Sequence, residues 1–582
     1  MRQFNTLVSS STSLSGSQGP KRSLIRHGLG LAAGVSMLFA SGCGLFAGAP
    51  LAGGQEDLDF HTHGAKGIPT SAGVPSFGQQ PKLSQDPSIV GKGVPVTLLY
   101  TSDVHSRVDP FPTAFYHNTY AGKGGLGRIA TMARQLKQQN PNSLLLDSGD
   151  YLQGTPYFNF FKGDVELKAY QQAGFDAITI GNHEFDNGVP MLRQALGHYK
   201  GPIITSNVTF SPDMGQRYAV LKAGNVRVGL FSLLTEVSGL VTPPNFQTAK
   251  YYDPVKVAQA AVEKLSKEAD IIVCMSHVGI VPPWSEEDPA GHSSSKVTDE
   301  MIAQKVPGID VILSGHTHAM VSNPIVIKSG SSRTLIVAPG YGGGYLGKLD
   351  LVVKDGEVQQ YNNNLVPLSA SVASAPDIEG LVAPYRAKMN QTIKQKIGTA
   401  QGDFRRYAGA DSESSLNNLM ADATLAAARK IDPEVEFGIS SSGTPRNYIV
   451  SGPITIEDAY YALPFDNKVV IIEAKGDKVV QMLTTQRRWT DNKRHSIANA
   501  SYTLHPSARK ISEIVINGKP FDPKKTYKVA VNDYIADGGS GFSMVPGLKR
   551  TNTEVLQRDA LIDYIKQIGT LFPQTGRIKI AG

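Results

Sequence analysis

Five short segments of this chain carry side chains of the types that bind divalent cations: Asp103-Val104-His105, Asp147-Ser148-Gly149-Asp150, Gly181-Asn182-His183-Glu184, Ser276-His277 and Gly315-His316-Thr317-His318. Five of the 13 histidines in 582 residues fall in four of these segments, alongside Asp103, Asp150 and Asn182. Carboxylate, imidazole and amide oxygen are donors for Zn, Mn, Fe or Co, and no thiolates accompany them to close a structural zinc site. Two imidazoles at i and i+2 on a loop point apart, so His316 and His318 are expected to serve different ions. One carboxylate, Asp150, can bridge the pair. Two divalent transition metal ions about 3.5–4 Å apart bind a nucleophilic water, lower its pKa and neutralise charge on a phosphoryl oxygen. The indicated chemistry is metal-assisted hydrolysis of a phosphate ester.

Each segment follows an apolar run that reads as a β-strand: Val96 to Tyr100, Ser143 to Leu146, Ala177 to Ile180, Asp270 to Met275 and Val311 to Ser314. Helical patterns such as Gly127 to Gln139 and Pro254 to Lys267 lie between most of them, which predicts an α/β arrangement with largely parallel strands. Sites in such sheets gather outside the carboxyl ends of the strands, where every ligand segment sits.

The length allows two to four domains and a large core without disulfides. The net charge of +7 resembles a nucleic-acid footprint until the N-terminus is read. Arg2, Lys21, Arg22 and Arg26 supply four of the positive charges and no acid precedes Glu56, leaving 53 basic against 50 acidic residues. No basic stripe with interleaved aromatics remains, so no nucleic-acid partner is expected. Lys21, Arg22 and Arg26 precede the apolar stretch from Gly28 to Ala40 and then Ser41-Gly42-Cys43, the pattern of an export signal. Its end resembles the lipobox of bacterial lipoproteins, with Ala40 where Leu is usual, which implies acylation of Cys43 and attachment to a lipid membrane of the bacterial cell envelope. Residues 43–93, rich in Gly, Pro, Ser and Gln, read as a flexible tether. His61 and His63 within it lack a strand or adequate acid partners and are not expected to form a site. Cys274, inside Ile271-Ile272-Val273-Cys274-Met275, reads as a buried small residue.

Asp-x-His, Gly-Asp, Gly-Asn-His-Glu, Ser-His and Gly-His-Thr-His, in this order, resemble the calcineurin-like metallophosphoesterases. The strings Gly124-Gly125-Leu126-Gly127-Arg128, Asp150-Tyr151-Leu152-Gln153-Gly154-Thr155 and Gly181-Asn182-His183-Glu184-Phe185-Asp186-Asn187-Gly188 resemble the bacterial 5'-nucleotidase and UDP-sugar hydrolase branch. The resemblance runs from about residue 94 to the end. It implies a four-layer β-sandwich flanked by helices, α/β within an α+β whole, and a smaller α/β substrate-binding domain joined by a long helix. The expected divisions are 1–42 signal peptide, 43–93 tether, 94–370 metallophosphoesterase domain, 371–397 linker helix and 398–582 substrate-binding domain. Carried over by position, Asp103, His105 and His318 hold one ion, Asn182, His277 and His316 the other, and Asp150 is shared. His183 falls at the catalytic histidine and Asp186 at the acid that orients it. Asn207 matches a position near the metals.

In the second half, the resemblance places Phe465 and Tyr534 at two positions that stack on a nucleobase, and Arg446 at a substrate contact. There are three departures. Ser441 stands where Asn is usual, Ser540 where the Gly-rich loop holds a ribose-contacting Asp, and Ala410 or Ser412 where an arginine is expected, with Arg405 and Arg406 upstream. A serine hydroxyl bonds a ribose oxygen more weakly than a carboxylate does. The expected function is release of phosphate from nucleoside 5'-monophosphates or related nucleotides. The alternatives are a 2',3'-cyclic phosphodiesterase, a nucleotide-sugar pyrophosphatase or another phosphoester hydrolase, and, more remotely, a nucleotide-binding surface receptor without turnover. Metals and stacking residues on different domains predict a hinge at the linker helix.

Overall fold

The computed structural model describes residues 93–581 except 113–118, 238–239, 242, 281–296, 407–412 and 486–494. Cys43 with its leader, the tether with His61 and His63, and Ala410 and Ser412 lie outside the described residues.

Four parallel strands, β1 (Val94–Thr101), β2 (Ser143–Asp147), β3 (Ala177–Thr179) and β4 (Ile203–Ile204), belong to a six-stranded sheet with Tyr345–Lys354 and Glu357–Pro367 beyond β1. A second sheet is built on β5 (Val226–Leu234), β6 (Ile271–His277), β7 (Val311–Ser314) and β8 (Ser332–Pro339), also parallel, with antiparallel strands at both edges. Because strand side chains alternate faces, each strand feeds two cores. Val96, Leu98, Tyr100, Leu144 and Leu146 meet Val228, Leu230, Val273, Met275, Val311 and Leu313 between the sheets. On the far side Leu99 and Leu145 pack on Leu126, Ile129, Ala130 and Ala133 of the helix Leu126–Gln139. Ile272, Cys274 and Ile312 pack on Ala258, Ala261 and Leu265 of the helix Pro254–Leu265 and on Ile302 of Asp299–Lys305. The result is the expected helix-sheet-sheet-helix layering, and Cys274 is a buried free thiol.

The connecting helix spans Pro376–Ile393, inside the expected 371–397, beginning five residues later and ending four earlier. Proline at its first turn suits the missing donor there, and the helix also runs through Pro384. It is fastened to the first domain: Arg386 chelates Asp109, and Asp377 receives both terminal nitrogens of Arg134 at 2.9 and 2.8 Å. Beyond it, the helix Ser415–Ile431 backs a five-stranded sheet ordered Ser496–Ala498, Phe437–Ser440, Thr526–Asn532, Lys468–Lys475, Arg550–Leu556. Among the described residues no helix is long and apolar enough to cross a membrane.

Candidate metal centre

The carboxyl ends of β1, β2, β3, β6 and β7 meet at one rim, and the turns that leave them are tied to one another by backbone bonds. The amides of Asp103 and His105 donate to the carbonyls of Gly149 and Asp150 at 2.9 and 2.8 Å, and Gly315 donates to Ser276 at 2.9 Å. Asp103, His105, Asp150, His316 and His318 all sit in the left-handed region, with φ of 53°, 50°, 57°, 69° and 56°. L-residues adopt that region at a cost of roughly 1–2 kcal/mol each, so these turns are held by their surroundings. Asp147 supplies part of the hold, accepting from the Thr101 hydroxyl at 2.6 Å, the Gly149 amide at 2.9 Å and the Tyr170 hydroxyl at 3.1 Å. Glu184 supplies more, accepting from the amides of Asp150, Leu152 and Gly181 at 2.9, 2.9 and 2.6 Å. Gly181 has no room for a side chain: a Cβ there would lie 2.3 Å from Asp150 Oδ1 and 2.7 Å from His277 Nε2.

The ligand atoms converge in three groups, Asp103 with His105 and His318, His105 with Asp150 and His183, and Asp150 with His277 and His316, each within 4.8 Å, the middle one sharing a residue with each of the others. His105 Nε2 faces His318 Nε2 at 3.1 Å, and His318 Nε2 lies 3.6 Å from Asp103 Oδ1. His277 Nε2 is 3.0 Å from Asp150 Oδ2 and 4.0 Å from Asp103 Oδ1. Asp150 Oδ2 is also 3.8 Å from His105 Nε2, so this carboxylate stands between the groups. The Nδ1 atoms of His277 and His105 lie 2.7 and 3.2 Å from the carbonyls of Ser148 and Gln153. An Nδ1–H donated to each carbonyl leaves the Nε2 lone pairs for a cation. Asn182 Oδ1 is buried without a hydrogen-bond partner, an orphan acceptor that a cation satisfies. The donor set therefore fits two divalent ions, each bound by oxygen and imidazole.

Burial dominates the electrostatics. It pushes the His105 imidazole down to about 3, with His183 and Arg446 adding and Asp150 opposing. Burial raises the Asp103 carboxyl to about 7. It works against charge on His277 too, but Asp150 and Asp103 overcome it and lift that ring to about 10. His183 shows the same contest: burial lowers it, Asp186 and Asp150 raise it, and the carboxylates win. The His183 Nδ1 and Asp186 Oδ2 atoms are 2.8 Å apart, and the His183 amide donates to Asp150 Oδ1 at 2.8 Å.

The second domain brings Phe465 and Arg446 to this rim. The Phe465 ring centroid lies 6.0 Å from that of His183, and the Arg446 guanidinium sits 4.9 Å over the Phe465 ring. Tyr534 packs over Gly539, where a Cβ would lie 2.4 Å from the phenol ring. Ser441 Oγ and Ser540 Oγ are 3.0 Å apart. Asn207 is buried, its amide group exchanging two 2.8 Å hydrogen bonds with the backbone of Leu234. Sequence reasoning gave no role to Glu184 or Asp147, although both lie inside the ligand strings. It also missed Tyr341, whose ring is 4.7 Å from that of His318 and 5.2 Å from that of His105, and Asn245, which donates to the Asp186 carbonyl at 2.7 Å.

Comparison with known proteins matches residues 96–320 to the calcineurin-like phosphoesterase family and residues 396–547 to the 5'-nucleotidase C-terminal domain. A snake venom 5'-nucleotidase from Gloydius brevicauda is 28% identical over 544 residues, covering 84% of this chain and 90% of that protein. Protein UshA of Escherichia coli is 25% identical over 529 residues, covering 82% and 92%. The crystal structure of a 5'-nucleotidase precursor from Thermus thermophilus superposes with a TM-score of 0.71 at 26% identity, covering 84% of this chain and all of that one.

Proposed function

Since the chain belongs to the two-domain 5'-nucleotidase family, with a calcineurin-like phosphoesterase domain ahead of a 5'-nucleotidase C-terminal domain, we propose that it releases phosphate from nucleoside 5'-monophosphates or related nucleotides. It is a metal-dependent phosphoric ester hydrolase. The observation that carries the substrate reading is the meeting of two ligand groups with an aromatic ring from the other domain, Phe465, beside His183.

In this reading Asp103, His105 and His318 hold one divalent ion, Asn182, His277 and His316 the other, and Asp150 touches both. Once bound, such ions activate a water and neutralise charge on the phosphoryl oxygens. His183, whose Nδ1 is held by Asp186, presents its other ring nitrogen to the ester and donates a hydrogen bond to charge that develops there. Asp186 holds the tautomer and supports the protonated ring. Phe465 and Tyr534 stack on the base, each contributing about 1–3 kcal/mol. Arg446, laid over Phe465, meets the substrate's negative charge. Ser441, Ser540 and Asn207 complete the substrate-binding set of this reading. Domain limits of 94–370, 371–397 and 398–582 follow the same reading, and the leader pattern before Cys43 supports an exported, lipid-anchored protein.

A second reading keeps the chemistry and changes the ester, to a 2',3'-cyclic phosphodiester, a nucleotide sugar or a non-nucleotide ester. The 3.0 Å contact between Ser441 and Ser540 favours it, because hydroxyls that satisfy each other bind a ribose diol weakly. Identification of the products formed from AMP, 2',3'-cyclic AMP, UDP-glucose and a plain aryl phosphate, with inorganic phosphate measured beside the monoesters and metal analysis of the fragment from Gly44, separates the two. Preference for AMP supports the first reading; equal or faster turnover of the aryl ester overturns it.

A further inference from the structure

Behind the second ligand group lies a carboxylate that no step of the hydrolysis uses. Asp299 is fully buried, and both of its oxygens are taken: Oδ1 accepts from the Ser276 hydroxyl at 2.6 Å and Oδ2 from the Ser314 hydroxyl at 2.5 Å. Ser276 and Ser314 are register partners on β6 and β7, and both are fully buried. Ser276 immediately precedes His277, and Ser314 precedes His316 by two residues. One carboxylate thus clamps two strand ends at the point where each turns into a metal-type ligand. The clamp is anchored in turn. The Asp299 amide donates to the Gly279 carbonyl at 2.9 Å, and Ile302 and Ala303 seat its helix in the core against Cys274 and Ile312. With both oxygens occupied by hydroxyls, Asp299 is no ligand itself.

We propose that Asp299 is a positioning residue for the ion held by His277 and His316, setting the spacing of those two imidazoles through Ser276 and Ser314. The inference rests on the dimetal reading above. Groups hydrogen-bonded to metal ligands govern affinity by about 10–100-fold; Asp299 acts one step further out, through the strand ends that carry two ligands of one ion, so its effect falls first on that ion.

The test is titration of the chelated, purified chain with Mn(II), read by calorimetry and by electron paramagnetic resonance. Wild type takes up two ions and gives an exchange-coupled spectrum. Asp299→Ala keeps the first ion but binds the second at least ten-fold more weakly, leaving an isolated Mn(II) signal. Asp299→Asn, which can still accept from one serine and donate to the other, stays close to wild type. Ser314→Ala, a small change that keeps the carboxylate, weakens the same ion and serves if Asp299→Ala fails to fold. The brace is overturned if the alanine variants bind both ions as wild type does, if both ions weaken together, or if asparagine falls as far as alanine. Uptake of fewer than two ions by wild type overturns the dimetal reading, and the brace with it.

Discussion

At the scale of single residues, the centre depends on groups that water would otherwise solvate. Asn182 Oδ1 has no hydrogen-bond partner, and His105 and His318 face each other nitrogen to nitrogen, an arrangement of buried donor atoms that entering cations stabilise. Chelation should therefore cost stability as well as activity: at a metal concentration 100 times the Kd, removing the ions forfeits about 2.7 kcal/mol per ion. A melting midpoint indifferent to chelator would count against the site. His183 belongs to a different task. His183→Ala should lower kcat by roughly 10²- to 10⁴-fold, the usual worth of a positioned proton donor, while two ions still bind. Loss of metal in that variant would make His183 a ligand instead.

Secondary-structure elements set the turns that carry these groups. After β1, β2 and β7 the next residues enter left-handed backbone, the turn after β2 being held by Asp147 and Glu184. The tightest point is Gly181, between the Asp150 carboxylate and the His277 ring. Gly181→Ala should separate the turns after β2 and β3, lowering uptake of the ions and costing about 1–3 kcal/mol as overpacking, both measurable by metal titration and thermal unfolding. The connecting helix is fixed to the first domain by Arg386 on Asp109 and Arg134 on Asp377, so in the hinge proposed at this helix the bend would come at its C-terminal end.

The two domains meet across a polar clasp next to the site. Asp466, the residue after Phe465, accepts from Lys162 at 2.5 Å and Asn159 at 3.1 Å on the first domain and from Arg558 at 2.7 Å on its own. Burial works against its charge, yet Arg558 and Lys162 outweigh burial and hold the carboxyl below the usual range. A carboxyl lowered on folding stabilises fully above its unfolded value, near ~3.9, and less as pH falls through its folded value. Asp466→Ala should cost about 3 kcal/mol at neutral pH, since it leaves the buried Arg558 unpaired. The gap between the melting midpoints of variant and wild type should narrow below about pH 4. KM for nucleotide should also rise, because Phe465 loses its anchor. An unchanged gap at acid pH would show that Asp466 acts by packing.

The order Asp-x-His, Gly-Asp, Gly-Asn-His-Glu, Ser-His, Gly-His-Thr-His was enough to read the chemistry, since metal donors are recognisable by type and parallel strands deliver their ends to one rim. The layering, by contrast, was expected from the resemblance to the calcineurin-like metallophosphoesterases, and the burial of both faces of these strands bears it out. What remained hidden was which buried polar groups support which. Glu184 and Asp147 lie inside the ligand strings, but their three amide or hydroxyl donors come from turns up to 46 residues away, and Asp299 reaches two strands it does not adjoin in sequence. The contact between Ser441 and Ser540 spans 99 residues, and the meeting of Phe465 with His183 spans two domains. Donor identity is a property of the residue, whereas mutual satisfaction of buried donors and acceptors exists only once chain closure has set their distances.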